Sequence, residues 1–114
     1  MNVSIRNAVE PLVSRKIFST EEDAVQTLVR EYVLRQIAKL QRGTAQFEKK
    51  YGMRFEQFEN YLHERSKLLS GIEQADQRKI LGQAIMREED DWLDWKTQKE
   101  FLDSWLGLRQ ELNS

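Results

Sequence analysis

Apolar residues recur at helical spacing along most of this chain, and the polar residues between them mark where helices start and stop. The longest run is Val25, Leu28, Val29, Tyr32, Val33, Ile37 and Leu40, with Phe47 and Tyr51 further on. From Val33 the steps alternate between four and three through Ile37, Leu40, Thr44, Phe47 and Tyr51, a heptad-like seam. Ser19-Thr20-Glu21-Glu22-Asp23 precedes it. Either Ser19 with Glu22 or Thr20 with Asp23 has the spacing of a capping box, and the acids suit the positive end of a helix dipole. Lys49-Lys50-Tyr51-Gly52 closes it with cations and then a glycine. The spacing therefore predicts a helix over 20–51, about 48 Å long if Gly43 does not break it. Such a helix must pack along another long helix, from the same chain or from a second copy. Val33, Ile37, Leu40 and Phe47 are the expected dimer interface.

The flanking segments read as shorter elements and one more long one. Val3 and Ile5 alternate with Asn2, Ser4 and Arg6, the pattern of a short strand over 2–6. A helix over 7–16 follows, and Pro11 requires it to start near Asn7–Glu10, because proline is tolerated in a first turn. Phe55, Phe58, Leu62 and Leu69 lie on one face of a helix over 54–69, ended by Ser70-Gly71. Leu81, Ile85, Trp92, Trp95, Leu102 and Leu106 support helix over 73–111, and Asp90-Asp91 could cap a fresh helix within it. The fold class is all-α, with a short N-terminal strand allowed, and with long helices in a hairpin or elongated bundle, expected as a dimer. Residues 1–52 form an N-terminal dimerisation region and residues 53–114 a C-terminal partner-binding region.

Composition narrows the function. The 114 residues include no cysteine, which excludes disulfides and cysteine metal sites, and one proline, too few for a proline-rich linker. No apolar run approaches the roughly 18 residues a membrane helix needs. The start of the chain lacks a signal-peptide pattern, so a cytoplasmic protein is expected. His63 is the only histidine and has no recognisable triad partners, and no Gly-rich phosphate loop accompanies the acids. Neither an enzyme nor a cofactor or metal site is expected.

The net charge of −1 hides an asymmetry. Residues 1–57 hold ten Lys/Arg against seven Asp/Glu; residues 58–114 hold eight against twelve. A basic half set against an acidic one suggests that each half meets a different partner. Arg35, Lys39 and Arg42 share a face of the long helix, as a phosphate-contacting stripe does and as an ordinary solvated helix surface does. The acidic half also holds all three tryptophans, Trp92, Trp95 and Trp105, interleaved with Glu88, Glu89, Asp90, Asp91 and Asp94. Aromatic stripes at helical spacing usually build cores, but tryptophan flanked by acids also suits an anchor in a basic, grooved partner. These eight residues are the candidate partner-binding site.

Two segments carry a resemblance. Residues 10–32 run Glu10-Pro11-Leu12-Val13-Ser14-Arg15-Lys16-Ile17-Phe18-Ser19-Thr20-Glu21-Glu22-Asp23 and on through Val25, Leu28, Val29, Arg30 and Tyr32. This resembles bacterial type II antitoxins of the ribbon-helix-helix kind, with a short helix, a turn bearing an aromatic and Ser/Thr, then a helix rich in Val, Leu and Arg. Lys50-Tyr51-Gly52-Met53-Arg54-Phe55-Glu56-Gln57-Phe58-Glu59 is similar to a segment that follows such helices in small prokaryotic antitoxins. The resemblance implies a dimeric N-terminal part that binds operator DNA and a C-terminal part that silences a cognate toxin, often a ribonuclease. It would place Asn2, Ser4 and Arg6 in the major groove, Val3 and Ile5 towards the core, and a phosphate on the backbone near Ser19 and Thr20. The expected function is antitoxin-like neutralisation of a toxin with autoregulation of the operon. The alternatives are a DNA-binding repressor without a toxin role and a structural helical adaptor.

Overall fold

The computed structural model describes residues 3–113, and all of its regular structure is helical: α1 (Val3–Ser14), α2 (Glu21–Tyr51), α3 (Phe55–Leu69) and α4 (Ala75–Asn113). The all-α class is as expected, and no strand occurs among the described residues. Two compact units make up the chain. One joins Met1–Ala38 to Trp105–Ser114; the other is the continuous stretch Lys39–Ser104. This partition differs from a cut near residue 52, because α2 and α4 each contribute to both units.

The segment expected as a strand is the first turn of α1. Val3–Arg6 is helical, and Asn2 lies outside the described residues. The alternation of Val3 and Ile5 was a weaker signal than the helical spacing of Ile5, Val9 and Leu12, which places Val9 in the core at 6% exposure. Pro11 consequently sits deep in the helix instead of in its first turn. Its missing N–H leaves the Asn7 carbonyl without a helical donor. Both residues are exposed, so water can take that acceptor.

Helix ends follow local chemistry. α1 ends in a Schellman motif: Lys16 N–H donates to the Val13 carbonyl at 3.0 Å and Ile17 N–H to the Leu12 carbonyl at 2.9 Å. Lys16 takes the left-handed conformation there, with φ of 63°, where glycine would be unstrained. Of the two candidate caps for α2, Thr20 is used: its Oγ1 accepts the Asp23 N–H at 3.0 Å. At the other end Gly52, with φ of 62°, donates to the Glu48 carbonyl, so the expected glycine stop is in place. Before α3, Gln57 Oε1 accepts the Arg54 N–H at 2.9 Å. Ahead of α4, Arg78 clasps the connecting loop by donating to the carbonyls of Ile72 and Glu73.

Neither long helix is interrupted. α2 runs through Gly43 and α4 through Asp90-Asp91. At Gly43 the absence of a side chain has a use, because a Cβ there would overlap Gln98 Oε1 of α4. Asp91 is engaged by side chains of α2 and caps no new helix.

In the unit 39–104, α2, α3 and α4 enclose a core centred on Phe58, Leu62 and Trp95. Phe47 stacks on Trp95, and Phe55 meets it edge-on, with ring centroids 5.5 and 5.4 Å away. In the other unit, Val9 of α1, Ala24, Val33 and Ile37 of α2 are buried, and Tyr32 packs edge-to-face on Trp105. The seam expected to bind a second copy is thus largely occupied within the chain. Val33 and Ile37 are buried, Phe47 is stacked on Trp95, and Leu40 is half-buried. The reason is that α4 supplies the second long helix from the same chain. No helix among the described residues is long and apolar enough to cross a membrane.

Candidate functional site

The acidic, tryptophan-bearing stretch of α4 divides into residues that hold the unit 39–104 together and residues that face outward. Trp95 is 1% exposed and belongs to the core, so it is no surface anchor. Glu88 and Asp91 are structural as well. Glu88 bridges to Arg65 Nη2 of α3 at 2.7 Å. Asp91 accepts from Lys50 Nζ at 2.5 Å and from the Tyr51 hydroxyl, tying α4 to the end of α2. Trp105 belongs to the other unit, where it is half-buried against Tyr32.

The remaining four are Glu89, Asp90, Asp94 and Trp92. The acids are exposed and have no cation partner within the described residues; Trp92 is half-buried. Glu89, Asp90, Trp92 and Leu93 form one wall of a groove of about 490 Å³, and Glu59, Leu62, His63 and Ser66 of α3 form the other. At the base, the Trp92 indole N–H donates to Glu59 Oε2 at 3.1 Å. Lys96 lies over the indole ring, 5.1 Å from its centroid. Leu93 stands on the rim at 55% exposure. The groove therefore combines three carboxylates with an apolar floor and rim.

The α3 wall escaped sequence reasoning, although a signal existed: Glu59, Leu62, His63 and Ser66 stand at i, i+3, i+4 and i+7, one face of a helix. Taken alone in the sequence, His63 shows no partner, and only the helical register joins it to the other three. No group of three or more His, Asp or Glu side chains among the described residues is arranged to hold a metal ion.

The residues assigned to DNA reading are dispersed over helix and turn. Ser4 and Arg6 lie on α1, and Arg6 forms an exposed ion pair with Glu21 at 3.6 Å. Thr20 caps α2, and Ser19 is exposed beside it. No ribbon presents them together, since 3–14 is helical.

The Asp91 cluster gives the unit a definite pH response. Burial would raise the Asp91 carboxyl, but the hydrogen bonds from Lys50 and Tyr51 outweigh it and hold the group below the usual carboxylate range. Burial, reinforced by the bond to Asp91, pushes the Tyr51 hydroxyl well above its ordinary value. A depressed carboxyl stabilises the fold above its unfolded pKa, and that stability is lost as pH falls below about 4. A raised phenol stabilises it below its unfolded pKa, with loss as pH rises past about 10. Denaturant melts across pH should show both slopes, and Tyr51→Phe should remove the alkaline one and weaken the acidic one. An alkaline slope that persists in Tyr51→Phe would assign it to another group.

Compared with known protein families, curated proteins and solved structures, the chain matches none.

Proposed function

We propose that this chain is an antitoxin-like interaction protein whose α3–α4 groove takes a basic segment of a cognate toxin. The observation that carries the binding half of this reading is the groove itself. Glu89 and Asp90 face it without cation partners, beside the apolar surface of Trp92, Leu62 and Leu93. Uncompensated carboxylates around an apolar floor favour a partner that brings both positive charge and an apolar anchor. In a ribonuclease the basic surface is the one that holds substrate phosphates, so covering it would block activity. The toxin half rests on the resemblance of residues 10–32 and 50–59 to antitoxins. In this reading the protein acts in the cytoplasm.

The test is to express the product of the adjacent gene with and without this protein. It should arrest growth alone and be relieved by co-expression. Reversing the groove charges with Glu89→Lys and Asp90→Lys should weaken the purified complex by at least about tenfold, mainly through faster dissociation or slower encounter. Both residues are exposed, so the fold should be unaffected. A harmless neighbouring product, or a complex indifferent to both reversals, would overturn the reading.

A further inference from the structure

In the unit Lys39–Ser104, α2 carries a row of cations that the fold does not use. Lys39, Arg42, Gln46 and Lys49 follow one another at i, i+3, i+7 and i+10, one side of a helix. All four are exposed, and the three cations have no ion-pair partner among the described residues. The side of α2 that packs is a different one: Phe47 stacks on Trp95, and Gly43 abuts Gln98. Between Glu31 and Glu48 the chain has no acidic residue. Glu48 itself turns with Thr44 towards a hollow against α3 and α4. The row is therefore positive throughout, and it is about 15 Å long at 1.5 Å per residue.

We propose that this row binds the phosphate backbone of double-stranded DNA without reading its sequence. The makeup of the face selects that occupant. Among the exposed residues of α2 from 39 to 50, Ala45 is the one apolar side chain. A protein partner needs an apolar or aromatic centre to dock on, whereas phosphates are held by charge alone. No aromatic ring stands on the face to stack unpaired bases, as single-strand binders require. Duplex RNA is gripped over about 16 base pairs, across two successive minor grooves. This row covers only about four base pairs of B-DNA at 3.4 Å each. The site is distinct from the one the antitoxin resemblance implies, which falls on residues 2–6, 19 and 20 in the other unit and reads sequence.

Fluorescence anisotropy of a labelled DNA duplex of arbitrary sequence, titrated with the full chain over a salt series, tests this. The affinity should be that of non-specific binding, about 10⁻⁴–10⁻⁶ M at physiological salt. Its logarithm should fall against log salt with a slope of about −2.7, for three phosphates at roughly −0.9 each. A duplex of unrelated sequence should bind within twofold. Lys39→Gln with Arg42→Gln and Lys49→Gln should weaken binding at least tenfold and leave the helical circular dichroism unchanged, since all three residues are exposed. Lys67→Gln with Lys79→Gln and Arg87→Gln removes the same charge from exposed positions of the same unit, and should weaken binding less than threefold. Arg6→Gln should leave it within twofold. Equal losses from the two triple variants, or a tenfold loss from Arg6→Gln, would overturn the proposal. Tighter binding to a single strand or to duplex RNA, or displacement of the DNA by poly-glutamate at matched charge, would do the same. None of these changes touches Glu89 or Asp90, so the groove reading stands or falls separately.

Discussion

Trp95→Ala should cost about 3–5 kcal/mol of stability, the range for truncating a large buried aromatic. The side chain is 1% exposed and contacts aromatic rings of both neighbouring helices: Phe47 stacked, Phe55 edge-on and Phe58 tilted at 5.5 Å. Nothing nearby can fill the space without moving a ring out of its packed rotamer, so a cavity remains. In a domain with a total stability of about 5–15 kcal/mol, the loss is a large fraction of the whole. Urea unfolding followed by circular dichroism would measure it, and a cost below about 1 kcal/mol would place Trp95 outside the core. Trp92→Ala should cost less, because that indole is half-buried at the groove. The comparison has a practical meaning: any binding defect of Trp95→Ala must be corrected for unfolding, whereas Trp92→Ala reports on the groove.

Glu88→Ala should cost about 2–3 kcal/mol, between the values for exposed and fully buried pairs. Its side chain is 14% exposed and that of Arg65 is 25% exposed. Without Glu88 the guanidinium stays partly desolvated, held over the Tyr61 ring at 5.2 Å and unable to reach water freely. The pair is not fully satisfied even in the native protein, since Arg65 Nε and Glu88 Oε2 are buried without partners. Replacing both residues with apolar ones of similar size, Arg65→Met with Glu88→Leu, should therefore cost less than Glu88→Ala alone. A double-mutant cycle should give a coupling of at least about 1 kcal/mol. A Glu88→Ala protein within about 0.5 kcal/mol of the parent would show the bridge to be a surface pair.

Helix grammar was the most legible layer of the sequence. The Ser-Thr-Glu-Glu-Asp start and the Lys-Lys-Tyr-Gly stop bound α2 to within a residue, because caps are local chemistry. Residues 3–6 read as strand because Val3 and Ile5 alternate, but they are helical, and four residues cannot distinguish a period of 2 from one of 3.6. The same limit applies to the site. Five acids in one stretch of α4 look equivalent in sequence, but helix geometry fans them out, and α2 and α3 decide their roles. Glu88 and Asp91 meet Arg65, Lys50 and Tyr51, while Glu89, Asp90 and Asp94 meet solvent. Those cations lie 23 to 41 positions away in sequence, beyond the reach of any local pattern. Heptad spacing located the α2 seam but could not say whether its partner was α4 or another copy.

The interleaving of the two units imposes an order of assembly during synthesis. Lys39–Ser104 is continuous and can close its core as soon as Trp95 has left the ribosome. The opening helices must wait, because Tyr32 finds Trp105 only after some seventy further residues have been made. Until then Tyr32 lacks the ring it packs on, the condition in which a nascent chain meets chaperones or proteases.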